Sequence, residues 1–287
     1  MHCLSLIGAI VVAALTIPVG AQAADQAKYP DWKGAWARFV VRGLGGQPSF
    51  DQTKPWGFGQ EAPLTEEYRK VLEASIADQA KGGQGNFAGH ALCLPAGMPL
   101  NMIAFRPLEF VVTPETTYIL IGGSDHFRRI FTDGREWPRD LEPTYAGYSI
   151  GKWIDEDGDG AYDLLEVETR GPFKGPRAYD ASGLPLAFDN ESVFKERIYR
   201  DKADSKILHD VMTVIDHALT RPWTVDKKYV LEQSPRLEWD EAYCTESSAY
   251  IAIGKDHYFL SGDGMLMPAR KDQPPPDLRY FKQTQKK

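Results

Sequence analysis

Ser192-Val-Phe-Lys-Glu-Arg-Ile-Tyr-Arg200, Ile207-Leu-His-Asp-Val-Met-Thr-Val-Ile215 and Arg221-Pro-Trp-Thr-Val-Asp-Lys-Lys-Tyr-Val-Leu-Glu232 decide the fold. Each is a short run of β-branched and aromatic residues alternating with polar ones, and Asp201-Lys-Ala-Asp204 reads as a turn between the first two. The same texture recurs toward the N-terminus. Ala35–Val41 forms a first short strand. Phe105–Thr113 and Thr116–Ile121 are split by Pro114-Glu115. Phe127–Thr132 ends in the turn signal Asp133-Gly134, and Tyr148–Ile154 and Tyr162–Thr169 follow. Short strands at regular spacing predict an antiparallel meander, closed as a barrel or folded as a sandwich. The clearest helix runs from Thr65 to about Ala80. Thr65 is its N-cap, Glu66 and Glu67 suit its first turn, Tyr68, Val71, Leu72 and Ile76 form its apolar stripe, and Gly82-Gly83 stop it.

The ends carry a different message. Leu4–Val19 is almost wholly apolar and leads into Ala21-Gln-Ala23, a cleavage pattern, so residues 1–23 read as a signal peptide and the protein as periplasmic or secreted. Residues 24–270 then read as a single β-barrel domain. The stretch 271–287, with Pro274-Pro-Pro276 and a basic end, reads as a disordered tail. Cys3 leaves with the signal, and Cys93 and Cys244 are most simply paired in an oxidising compartment. No second apolar stretch is long enough to span a bilayer. The net charge of −7 argues against nucleic acid, which requires a concentrated basic surface.

The sharpest motif is Asp155-Glu-Asp157-Gly-Asp159-Gly160-Ala161-Tyr-Asp163-Leu-Leu-Glu166. It follows the calcium-loop pattern, in which alternate oxygens of a tight loop converge on one hard cation. Strand-like flanks replace the helices of an EF-hand, so the loop is expected to tip a β-hairpin. The expected ligands of a structural Ca2+ are Asp155, Asp157, Asp159, the Ala161 carbonyl and Asp163.

Ionisable residues also crowd the strands. In Asp125–Arg135 one of Arg128 and Arg129 must face inward, either to hold a ligand or to bridge a carboxylate across the barrel. Arg128, Arg129, His126 and Tyr118 are the candidate ligand-binding residues. On Ile207–Asp216, whichever face is inside carries a titratable group, and Lys195-Glu196-Arg197 adds another. A histidine beside a carboxylate suits general acid–base chemistry, so His209, Asp216 and Glu196 are the candidate catalytic residues, with a structural histidine as the alternative. There is no H-E-x-x-H and no Gly-rich nucleotide loop, which disfavours nucleotide cofactors and zinc chemistry.

Gly34-Ala-Trp36, Cys93-Leu-Pro-Ala-Gly-Met-Pro99, Arg128-Arg-Ile-Phe-Thr-Asp-Gly-Arg135, Gly147-Tyr-Ser-Ile-Gly-Lys-Trp153, Glu196-Arg-Ile198 and Arg221-Pro-Trp-Thr224 together resemble a large family of exported, largely uncharacterised bacterial proteins. The G-x-W at Gly34 and Trp36 also resembles the first strand of lipocalin-like barrels. That second resemblance implies an up-and-down barrel binding a small apolar molecule. The resulting expectation is a mainly β, antiparallel up-and-down, lipocalin-like barrel with one external helix. It would bind a small apolar or aromatic molecule, either as a binder or as a cofactor-independent lyase or isomerase. The alternative is a non-catalytic structural or partner-binding envelope protein.

Overall fold

A computed structural model describes residues 26–39, 53–83, 85–87, 95–103, 106–123, 127–174, 178–186, 191–234, 250–253, 256–260, 266–268 and 270–273. The signal-peptide reading and Cys93, Cys244 and His126 lie outside them.

Among the described residues nine strands close in chain order into one barrel. They are β1 (Ala35–Arg38), β2 (Leu108–Val112), β3 (Thr116–Ile121), β4 (Phe127–Phe131), β5 (Tyr148–Ile154), β6 (Leu164–Arg170), β7 (Val193–Arg200), β8 (Ile207–Ile215) and β9 (Trp223–Leu231). The protein is mainly β and the barrel largely antiparallel, consistent with a lipocalin-like architecture. A separate sheet, β10 (Tyr250–Ile253), β11 (Asp256–Leu260) and β12 (Leu266–Pro268), adds to the barrel that the sequence reading carries through to residue 270.

One junction departs from up-and-down. β4 and β5 are parallel, joined at Ile130–Ser149 and Phe131–Ile150. Asp133-Gly134 therefore does not close a hairpin, although Gly134 has the positive φ of a turn residue (76°). It starts a crossover that brings the chain back to the end where β4 began. The crossover ends at Gly147 (φ 70°), where a Cβ would sit 2.5 Å from the Phe173 ring and 2.7 Å from the Arg170 carbonyl. Only glycine fits there.

The helix α1 (Glu66–Gln79) begins as predicted. The Thr65 side chain accepts the Tyr68 N–H at 3.4 Å. α1 docks outside the barrel at the β8–β9 turn, where Leu64 bridges Leu219 and the Thr65 N–H donates to the Ala218 carbonyl at 2.8 Å. Burial alternates along β4 and β7 to β9, the period-two signature of a sheet with one face inside. Trp36 is fully buried, and its indole N–H donates to the Trp32 carbonyl at 2.8 Å.

The parallel seam is short, and one side chain reaches across it. Arg128 of β4 donates to Ser149 of β5, to Thr169 of β6 at 2.7 Å and to Glu196 of β7 at 2.8 Å through Nη1, with Nη2 on the second carboxylate oxygen. Both ions are 2% exposed or less. Replacing Arg128 by Met strands the Glu196 charge and is expected to lower unfolding free energy by about 3–5 kcal/mol in urea titrations. The double change Arg128→Met with Glu196→Leu is expected to restore most of that loss.

Candidate functional site in the barrel interior

Strand alternation settles which titratable groups share the barrel interior. On β8 the inward set is Leu208, Asp210, Met212 and Val214, and on β9 it is Trp223, Val225, Lys227 and Tyr229. Asp210 and Lys227 face each other across the β8–β9 ladder. With Arg128 and Glu196 they place two cations and two anions in the interior.

The two halves are satisfied differently. Arg128 and Glu196 make a bidentate bridge. Asp210 receives the Tyr229 hydroxyl on Oδ2 at 3.2 Å, while its Oδ1 is buried with no hydrogen-bond partner. The Tyr229 hydroxyl lies 2.7 Å from the carbonyl of Met102. That residue belongs to a buried 3-10 turn, Leu100–Ile103, which thereby meets the interior cluster. Lys227, 1% exposed, has Met212 Sδ at 3.6 Å and the Tyr179 ring centroid at 5.0 Å. Among the described residues no carboxylate oxygen lies within 4.0 Å of its ammonium.

Burial governs the protonation of this cluster. It pushes Asp210 up to about 7, reinforced by the nearby Glu196 charge and opposed by Lys227 and Arg128. It pulls Lys227 down to about 8 against the attraction of Asp210 and Glu196. The Tyr229 phenol rises well above its ordinary value, first through burial and then through Asp210. For Arg128, burial works against the charge but the Glu196 carboxylate outweighs it, and the guanidinium is held more firmly than usual.

The residues singled out from sequence divide between this interior and the surface. Arg128 and Glu196 come together inside. Arg129 faces outward between the Phe127 and Phe131 rings, at 5.5 and 5.9 Å, and Tyr118 is on the same outer face, its ring 6.3 Å from that of Phe127. His209 also faces outward. Its Nδ1 meets Asp226 at 3.0 Å, its Nε2 meets Asp201 at 3.1 Å, and its ring stacks on Tyr199. A protonated ring can donate to both carboxylates at once and a neutral one to only one. The N–H of Asp204 and then His209 hold Asp201 below the usual carboxylate range. Asp216 closes the β8–β9 turn, accepting from the Ser192 hydroxyl at 2.6 Å and the Ala218 N–H at 2.8 Å.

The Asp-rich loop does tip a hairpin, β5–β6, with Ile154 opposite Leu164. Carboxylate oxygens of Asp155, Asp157 and Asp159 lie within 4.8 Å of one another. Asp155 accepts from the N–H groups of Gly158, Asp159 and Gly160, Asp159 from Ala161, and Asp163 from Glu156. These bonds are also those of a tight turn. Arg197 of β7 pins the loop through Glu156 at 2.6 Å.

Lys227 and Tyr229 were legible and were missed. Trp223, Val225, Lys227 and Tyr229 share one period, so the lysine lies on the apolar face of its strand. No protein-family model and no curated protein matches the chain.

Between about pH 4 and 7 the native state holds a proton on Asp210 that the unfolded chain has released, so this group lowers stability as pH rises through that window. Asp210→Asn removes that slope. Chemical denaturation is expected to show the variant gaining on wild type from pH 4 to 7, and a pH-independent difference would contradict the assignment.

Proposed function

We propose that this is an exported, calcium-stabilised β-barrel that binds a small, largely apolar or aromatic molecule through an oxygen-bearing group. The observation that carries this reading is the incomplete pairing of Lys227 and Asp210 inside the barrel. A buried ammonium spending its donors on a thioether and a ring face, beside a carboxylate oxygen with no partner, leaves strong polar groups that a ligand oxygen or hydroxyl would satisfy. Trp223, Tyr179 and Met212 around them supply apolar contact. In a lyase or isomerase version of this reading, Asp210 and Lys227 would move the proton, since both titrate near neutrality. The calcium part is supported by the D-x-D-x-D-G spacing and the convergence of Asp155, Asp157 and Asp159. The saturated Arg128 bridge is what favours the alternative, a structural envelope protein without a ligand.

The test combines mass spectrometry of co-purifying small molecules with titration by 4-(dimethylamino)cinnamyl alcohol, read by tryptophan fluorescence, with and without a chelator. Saturable binding is expected, weakened about ten- to hundredfold by Lys227→Met, the worth of one charge-assisted hydrogen bond. A lower melting temperature is expected after chelation. Neither a co-purifying molecule nor probe binding would reject the binding reading, and unchanged melting would reject the calcium.

A further inference from the structure

We propose that Lys227 captures an apolar aldehyde or ketone inside the barrel as an imine, with Asp210 as its proton donor and counter-ion. This rests on the binding reading above and names its ligand class.

Three features of the interior converge on a neutral carbonyl. The first is the setting of the amine. Lys227 Nζ is buried against Met212 Sδ at 3.6 Å and the Tyr179 ring, and no described carboxylate lies within 4.0 Å to hold it as an ion pair. An ammonium desolvated in this way yields its proton more readily, and the free lone pair is a nucleophile. The second is the group opposite. Asp210 faces Lys227 across the ladder with Oδ1 unpartnered and Oδ2 held by the Tyr229 hydroxyl. Such a carboxyl is positioned to exchange a proton with whatever sits at the amine. The third is charge. Arg128 and Lys227 already balance Glu196 and Asp210, and the Arg128 guanidinium is committed to Glu196, Ser149 and Thr169. An anionic ligand would bring an unmatched third negative charge beside two carboxylates. A carbonyl compound brings none.

The step balances within these residues. The Nζ lone pair of neutral Lys227 attacks the carbonyl carbon, and the oxygen takes the proton of the Asp210 carboxyl to give a carbinolamine. Asp210 accepts a proton back from the nitrogen and delivers it to the hydroxyl. The C–O bond breaks, water leaves, and the nitrogen lone pair forms the C=N bond. The product is a protonated imine facing the Asp210 carboxylate. One amine, one carboxyl and one carbonyl become one iminium, one carboxylate and one water, with no oxidant or reductant involved.

The experiment uses the whole protein with 4-(dimethylamino)cinnamaldehyde, whose protonated imine absorbs to the red of the free aldehyde. Borohydride then fixes the adduct, and peptide mapping locates it. The expected result is a red-shifted band and one adduct at Lys227, with a mass gain of one aldehyde less one oxygen, in preference to exposed lysines such as Lys195. Lys227→Met is expected to cut trapping by roughly tenfold or more, and Asp210→Asn to slow band formation while the reduced adduct still maps to Lys227. Mapping the wild-type protein needs no variant, so a misfolded variant does not weaken the test. Adducts spread over surface lysines with none at Lys227 overturn the proposal. If the corresponding alcohol binds but the aldehyde is not trapped, the imine falls and the binding reading stands. If neither binds, both fall.

Discussion

Strands that alternate in direction can close a ring only if their number is even. This barrel closes with nine, so one neighbouring pair must run parallel, and the structure meets that constraint at β4–β5. Much else follows from it. The chain after β4 has to travel back along the barrel before β5 can start, which accounts for the segment between Phe131 and Tyr148 and for the glycine at its end. The seam it leaves is the shortest ladder beside that of β1 and β2. Arg128 projects inward from that seam and bonds into the next three strands, so the buried bridge to Glu196 reinforces one of the two shortest ladders of the ring.

Burying that arginine imposes a demand for charge balance on the rest of the interior. Glu196 meets it at close range. Asp210 and Lys227 form a second, looser pair, with Tyr229 linking the aspartate to the Met102 carbonyl. A tight bridge contributes to rigidity because its groups have nothing left to offer. A loose pair is costly to bury, and its unmet donors and acceptor are the chemical opportunity on which the proposed function rests. The outer face has a different kind of cluster. His209 lies between Asp201 and Asp226, tying the β7–β8 turn to β9 on the outside of the barrel.

Local features were legible from the residues. The Thr65 cap, the hairpin carrying Asp155–Asp163, and the bounds of β3, β5 and β8 depend on turn chemistry and period-two alternation, which act over a few residues. The candidate site was half legible. An inward arginine on β4 and a titratable group inside β8 both followed from alternation, but alternation cannot say which face of β8 is inside, because Asp210 and His209 each lie among apolar neighbours. Lys227 is the exception on an otherwise apolar strand face, and alternation alone does not distinguish it from an outward lysine such as Lys228. Asp133-Gly134 reads as a turn signal, and that dipeptide bends the chain equally well into a hairpin or into a crossover.

The sequence by itself therefore determined that the chain is a run of half-buried strands with one capped helix, and that charged groups must enter its interior. Only the tertiary structure decided which charges meet. Closure with an odd number of strands set the parallel seam. The resulting register brought Arg128 to Glu196, 68 positions away along the chain, whereas Asp210 meets Lys227 across the β8–β9 hairpin, whose inward face the closed ring selects. Pairing at that distance depends on how the whole ring closes, and no local pattern of residues encodes it.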